Sequence, residues 1–95
     1  MYVRVTPLTF DLTRKQEMQR FGEERILPLT RQLPGFRRYT LALDDASGRG
    51  VALSEWDELQ QAQEYRTAVA SLLQEITDLG VTLETSQVYE GLVQA

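Results

Sequence analysis

Four stretches of the chain alternate as strands do, and two longer ones carry an apolar position every third or fourth residue as helices do. From Tyr2 to Thr9, Val3 and Val5 fall on one side and Tyr2, Arg4 and Thr6 on the other. Pro7 has no N–H, which places it near the strand's end or at a bulge. Thr13, with Gln16 three residues on, begins a helix as a capping box. Met18, Phe21, Ile26, Leu29 and Leu33 make its apolar stripe, with Gly22 on the same face. Pro28 inside that stripe removes one helical hydrogen bond and collides with the preceding turn, so a kink or break is expected near Ile26 or Leu27. Pro34 and Gly35 then stop the helix.

A second strand runs from Phe36 to about Leu43, and the turn formers of "DDASGRG" join it as a hairpin to a third, Val51 to Trp56. Asp57 caps a second helix whose stripe of Leu59, Ala62, Tyr65, Val69, Leu72, Leu73, Ile76 and Leu79 is the cleanest periodic signal in the chain. Gly80 ends it, and "VTLETSQVYEGLV" alternates as a fourth strand. The order βαββαβ with right-handed crossovers predicts one α+β, ferredoxin-like domain over residues 1–95, a four-stranded antiparallel sheet with two helices on one face.

Two helices leave the other face of such a sheet bare, and the residues there decide what the domain does. Val3, Val5, Val51 and Leu53 suit the helix side, which leaves Tyr2, Arg4, Thr6, Ala52, Ser54 and Trp56 for the bare face. In the second strand Arg37 and Arg38 point opposite ways, and alternation leaves open which looks inward. An isolated tryptophan is expensive to leave in water. Burial against a second copy of the sheet is the expected solution, giving a barrel-like dimer with room inside for a small molecule.

Composition narrows the chemistry. The net charge of −4, with basic residues scattered among 14 acidic ones, argues against a nucleic-acid partner. There is no cysteine for a thiolate, disulfide or metal site, and no histidine to act as general base, metal ligand or proximal haem ligand. Glu23, Glu24, Glu55, Asp57 and Glu58 read as solvated charges whose spacing marks no metal site. "MYVRVTPLTF" lacks the apolar segment and cleavage site of a signal peptide, and no run approaches the roughly 18 apolar residues of a membrane span. A cytoplasmic protein without membrane contact is expected.

The runs "ILPLTRQLPGFRRYTLALD", "GVALSEWDELQQAQEYR" and "VTLETSQVYEGL" resemble the dimeric α/β-barrel family typified by the antibiotic-biosynthesis monooxygenases. The resemblance spans nearly the whole chain and rests on a leucine-rich helix end entering "PGF", then a strand closing on tryptophan and an acidic helix start. It implies a homodimer of ferredoxin-like subunits whose paired sheets form the barrel, with one pocket per subunit between sheet and helices. Its members include cofactor-independent oxygenases of phenols and quinols, haem-degrading enzymes and domains without established activity. The haem-degrading members use an asparagine on the first strand, the third-strand tryptophan and a histidine on the second helix. Trp56 matches the tryptophan, but Thr6 falls at the asparagine position and "QEYRTA" at the histidine position, so no cofactor is expected.

What the resemblance leaves is oxygenation without a cofactor, in which a deprotonated phenol itself passes an electron to oxygen while the protein binds the anion and excludes water. Arg4 and Arg38 can stabilise a phenolate, Tyr2, Tyr39 or Tyr65 can bond it or relay a proton, Trp56 can stack on the ring, and Thr6 and Ser54 complete the candidate set. Each also has a structural reading. The arginines can pair with Glu84 or Glu90 across the sheet, and the tyrosines can serve as core or interface residues. A monooxygenase-like domain acting on a small aromatic or quinol-type molecule is thus expected, the alternative being a non-catalytic or stress-related ligand-binding dimer on the same fold.

Overall fold

The computed structural model describes every residue from Met1 to Ala95. Strand β1 (Tyr2–Thr9) leads through a single turn at Leu12–Arg14 into helix α1 (Lys15–Phe21), a wide turn at Gly22–Ile26 and helix α2 (Leu27–Arg31). Strands β2 (Phe36–Asp44) and β3 (Arg49–Trp56) form a hairpin. Helix α3 (Leu59–Ala68), a tight turn at Ala70–Leu72 and helix α4 (Leu73–Asp78) follow, then short strands β4 (Thr82–Leu83) and β5 (Gln87–Glu90). All pairings are antiparallel in the order β2-β3-β1-β4, with β5 beside the first half of β1. This is the ferredoxin-like α+β arrangement the element order predicts.

The local chemistry explains where elements bend. The Leu27 N–H reaches back five residues to the Gly22 carbonyl, so the turn ahead of Pro28 widens where the ring would otherwise collide with it. The Asp11 carboxylate, not Thr13, caps the entrance, accepting from the Thr13 N–H at 2.9 Å and its hydroxyl at 2.7 Å. Likewise Glu58, not Asp57, caps α3, sharing a reciprocal capping box with Gln61, while Asp57 pairs with Arg37 at 3.0 Å. The second helix is divided at Val69, in a stretch where β-branched Thr67 and Val69 and the hydroxyl of Ser71 all disfavour helix.

The last strand is divided as well, and Pro7 supplies the reason. The Pro7 carbonyl accepts from the Glu84 N–H at 2.8 Å, so its ring nitrogen faces the same neighbouring strand and has no hydrogen to offer. Between the pairs Leu8–Leu83 and Val5–Gln87, the outer strand accommodates an extra residue: Glu84 keeps only its bond to the Pro7 carbonyl, and Thr85 and Ser86 leave the ladder.

The two sheet faces are the reverse of the sequence expectation. Arg4, Thr6 and Leu8 lie across from Ser54, Ala52 and Gly50, with Tyr39 and Leu41 beyond them, and this set faces the helices. Val3, Val5 and Pro7 lie with Glu55, Leu53 and Val51 on the face that no helix covers. Leu8 and Phe10 continue the Arg4 and Thr6 series into the core, which decides the orientation of the whole strand. In β2 the register slips between Phe36 and Arg38, so Arg37 is an extra residue, and Phe36 and Tyr39 both face the helices while Arg38 faces away.

The core has two parts. Leu8, Phe10, Met18, Leu72, Ile76 and Val81 form one, and Trp56, Ala62 and Tyr65 the other. No helix is long and apolar enough to cross a membrane.

Candidate functional site

Residues of both core clusters line a cavity of about 640 Å³ between the sheet and the helices. That volume lies within the range of small-molecule sites. Its deeper wall is apolar, built by Leu8, Met18, Phe21, Leu41, Leu72 and Ile76. Its polar groups gather on the strands and on α3: Arg4, Thr6, Ser54, Tyr39, Tyr65 and Arg66. Gln63, Glu84 and Thr85 also line it and are exposed, which marks where it opens.

Alternation on three neighbouring strands brings these groups together. Ser54 on central β3 lies opposite both Arg4 and Tyr39, so a single cross-strand row carries a cation, a hydroxyl and a phenol. Arg4 is half-buried, and its Nη1 donates to the Ala62 carbonyl at 3.1 Å, tying it to α3. Burial lowers its pKa, with neighbouring Arg66 as a further cause and Tyr65 acting in the opposite sense. No carboxylate lies within ion-pairing distance of either arginine, whereas Glu84 is held at 3.0 Å by Arg49.

The two cavity tyrosines differ in their partners. Tyr65 is fixed by a 2.7 Å hydrogen bond with buried Thr30, and burial raises its pKa against the opposing pull of that bond and of Arg4. Tyr39 makes no side-chain hydrogen bond within the protein, and burial, with Tyr65 a smaller cause, pushes its pKa far up. Both are therefore neutral phenols at ordinary pH. Tyr39 can offer its proton to a ligand oxygen but cannot act as a base there.

Of the candidates read from sequence, Arg4, Thr6, Tyr39, Ser54 and Tyr65 share the cavity. Trp56 and Arg38 do not line it. Trp56 is 1% exposed and packed against Tyr65 at 5.0 Å and Phe36 at 5.7 Å between ring centres, with Nε1 donating to the Ser54 hydroxyl at 2.8 Å. It backs the site instead of contacting its space. Arg38 is on the opposite face, 3.6 Å from Glu55. Tyr2 packs beside Trp56. The structure adds Gln63, Arg66 and Ser86, the last bonded to Thr6 at 2.6 Å. Gln63 and Arg66 were legible in principle, because they are a helical turn apart and flank the buried positions Ala62 and Tyr65.

A shallower cleft outside, between the first helical segment and the edge strand β2, is lined by Lys15, Gln19, Gly22 and Glu23. Tyr39 and Leu41 line both spaces. No cluster of three or more His, Cys, Asp or Glu side chains is placed to hold a metal ion.

Comparison with solved structures shows what else is built this way. A candidate antibiotic-biosynthesis monooxygenase from Deinococcus radiodurans superimposes with a TM-score of 0.78 at 20% identity, over 100% of this chain and 96% of that one. The chain has the fold of these proteins. The monooxygenase ActVA-Orf6 of Streptomyces coelicolor, solved with the ligand nanaomycin D, matches at a TM-score of 0.70 and 16% identity over 99% and 91% of the two chains. A dimeric ferredoxin-like protein from an uncultured marine organism matches at 0.72 and 12% identity over 100% and 98%. No protein-family description and no curated protein sequence matches the chain.

Proposed function

We propose that the protein is a homodimeric, monooxygenase-like domain that binds a small aromatic or quinol-type molecule between its sheet and helices. The observation that carries this reading is the cavity itself: apolar at depth, with the unengaged Tyr39 hydroxyl and the Arg4 guanidinium on its strand wall. A ring system can lie against Leu41, Met18 and Ile76 while its oxygens meet those groups. Of the structures with this fold, one is named as a candidate monooxygenase and another as a monooxygenase in complex with the ligand nanaomycin D, which supports the assignment of the space.

The reaction needs only the substrate as its anion, oxygen and water. A substrate carbanion adds dioxygen to give a peroxide anion. Water protonates that anion to a hydroperoxide, and loss of the remaining C–H proton to the hydroxide so formed, with cleavage of the O–O bond and departure of hydroxide, leaves a ketone; all the electrons come from the substrate. The chain's contribution is to hold the anion near Arg4, to donate from Tyr39 to a ring oxygen, and to keep water from the apolar end.

The dimer rests on the uncovered face. Val3, Val5, Val51 and Leu53 form an apolar centre there, with Tyr89 of β5 beside Val3, and a second copy of the sheet would bury it. A dimeric protein of this fold supports that arrangement.

A non-catalytic ligand-binding role is the second reading. One observation favours it: Tyr39 and Tyr65 stay protonated and Glu84 is tied to Arg49, so the lining has no free base to deprotonate a phenol. Oxygen uptake with a panel of hydroquinones and anthrones separates the two. Stoichiometric uptake that falls in Tyr39→Phe supports the oxygenase. Binding without uptake leaves the second reading, and absence of binding overturns both.

A further inference from the structure

Resting on the cavity as the ligand site, we propose that its ligand is an organic anion, an aromatic acid already ionised at neutral pH, whose charged group lies between Arg4 and Arg66 and whose ring body fills the apolar end. Six of the ten basic side chains, Arg14, Lys15, Arg25, Arg37, Arg38 and Arg49, have a carboxylate partner. Arg4 and Arg66 have none, and both line the same cavity. The remaining two, Arg20 and Arg31, are exposed on the first helical segments and line neither space.

Arg4 is the informative member. It is half-buried and held by one bond to the Ala62 carbonyl, so its other N–H groups point toward no acceptor in the protein. A half-buried cation beside a second cation is costly unless something supplies the counter-charge. A chain with more acidic than basic residues nonetheless places none of its free carboxylates at this spot. The only acidic lining residue, Glu84, is engaged by Arg49 at 3.0 Å. The planar guanidinium donors suit a carboxylate, whose two oxygens accept paired hydrogen bonds.

The ionisation state of the ligand follows from the rest of the lining. With both tyrosines neutral and no free carboxylate, the site has no group to remove a proton from a weak acid, so it selects one that arrives charged. A neutral phenol would meet two cations and no base. An aromatic carboxylate, or an enol of similar acidity, meets its complement at once.

The test uses anthracene-2-carboxylate and anthracene-2-carboxamide, which share the ring body and differ in charge, with affinities read by fluorescence titration of the intact protein. The expected result is at least a tenfold preference for the carboxylate. That ratio should fall to within threefold of unity in Arg66→Gln, an exposed position whose replacement spares the fold, and in Arg4→Gln. A ratio near one in the unaltered protein, or a preference surviving both substitutions, overturns the anion while amide binding keeps the cavity reading. Failure of both probes to bind overturns both.

Discussion

The indole N–H of Trp56 donates to the hydroxyl of Ser54, two residues earlier on the same face of β3, at 2.8 Å, and both side chains are almost wholly buried. The bond joins the small aromatic cluster to the cavity wall, since Ser54 lines the cavity and Trp56 stands behind it. Ser54→Ala leaves a buried N–H without a partner and is expected to cost about 1–3 kcal/mol. Urea unfolding monitored by the single tryptophan checks this, and Ser54→Thr, which keeps a hydroxyl, should recover part of the loss.

Gly35 turns the chain from the first helical region into β2 at a φ of 76°, a conformation that strains a residue with a Cβ. A Cβ there would also stand inside the Gln61 side chain, which completes the capping box of α3. Gly35→Ala is expected to combine backbone strain with loss of that cap, about 2–4 kcal/mol together. Gln61→Ala should cost only the cap, and thermal unfolding of both variants separates the two parts.

Burial raises the pKa of Tyr39 and Tyr65 above the usual tyrosine value of 10.0. The folded state therefore holds protons that the unfolded chain releases as pH rises through about 10. The stabilisation from these phenols is complete below that pH and is lost progressively above it. Stability measured between pH 8 and 12 should fall more steeply in the unaltered protein than in Tyr39→Phe, which cannot ionise at that position. Equal slopes would contradict the placement of the Tyr39 phenol.

Leu53 lies at the centre of the uncovered face, opposite Val5 on one side and Thr40 on the other. Leu53→Lys places a charge in the proposed contact between copies without touching the cavity. Sedimentation is expected to show a dimer for the unaltered protein and a monomer for the variant at micromolar concentration. A monomer in both would remove the dimer.

The sequence revealed the order of elements, the kink before Pro28 and the hairpin because each has a local cause: a missing N–H, a run of turn formers, a clean period. It misled on which face of the sheet meets the helices. Alternation divides β1 into Val3 with Val5 and Arg4 with Thr6, and apolarity alone points the valine pair to the helix side. That rule fails where both faces have a use, because a cavity allows Arg4 and Thr6 to lie inside, while the valines face the side left uncovered. Following the Arg4 series onward to Leu8 and Phe10 would have shown the direction. The bulge at Arg37, which changes the phase of β2, has no comparable local signature, so the inward placement of Tyr39 required the structure.

One missing hydrogen atom at Pro7 has a consequence for how a molecule enters. Because the ring nitrogen cannot complete the ladder, Glu84 keeps a single bond to the Pro7 carbonyl and Thr85 and Ser86 are released, and the three stand at the cavity's rim with Ser86 fastened to Thr6. The gap in the outer strand is thus written into the covalent structure of the chain. A visitor meets a rim that no N–H from position 7 can close.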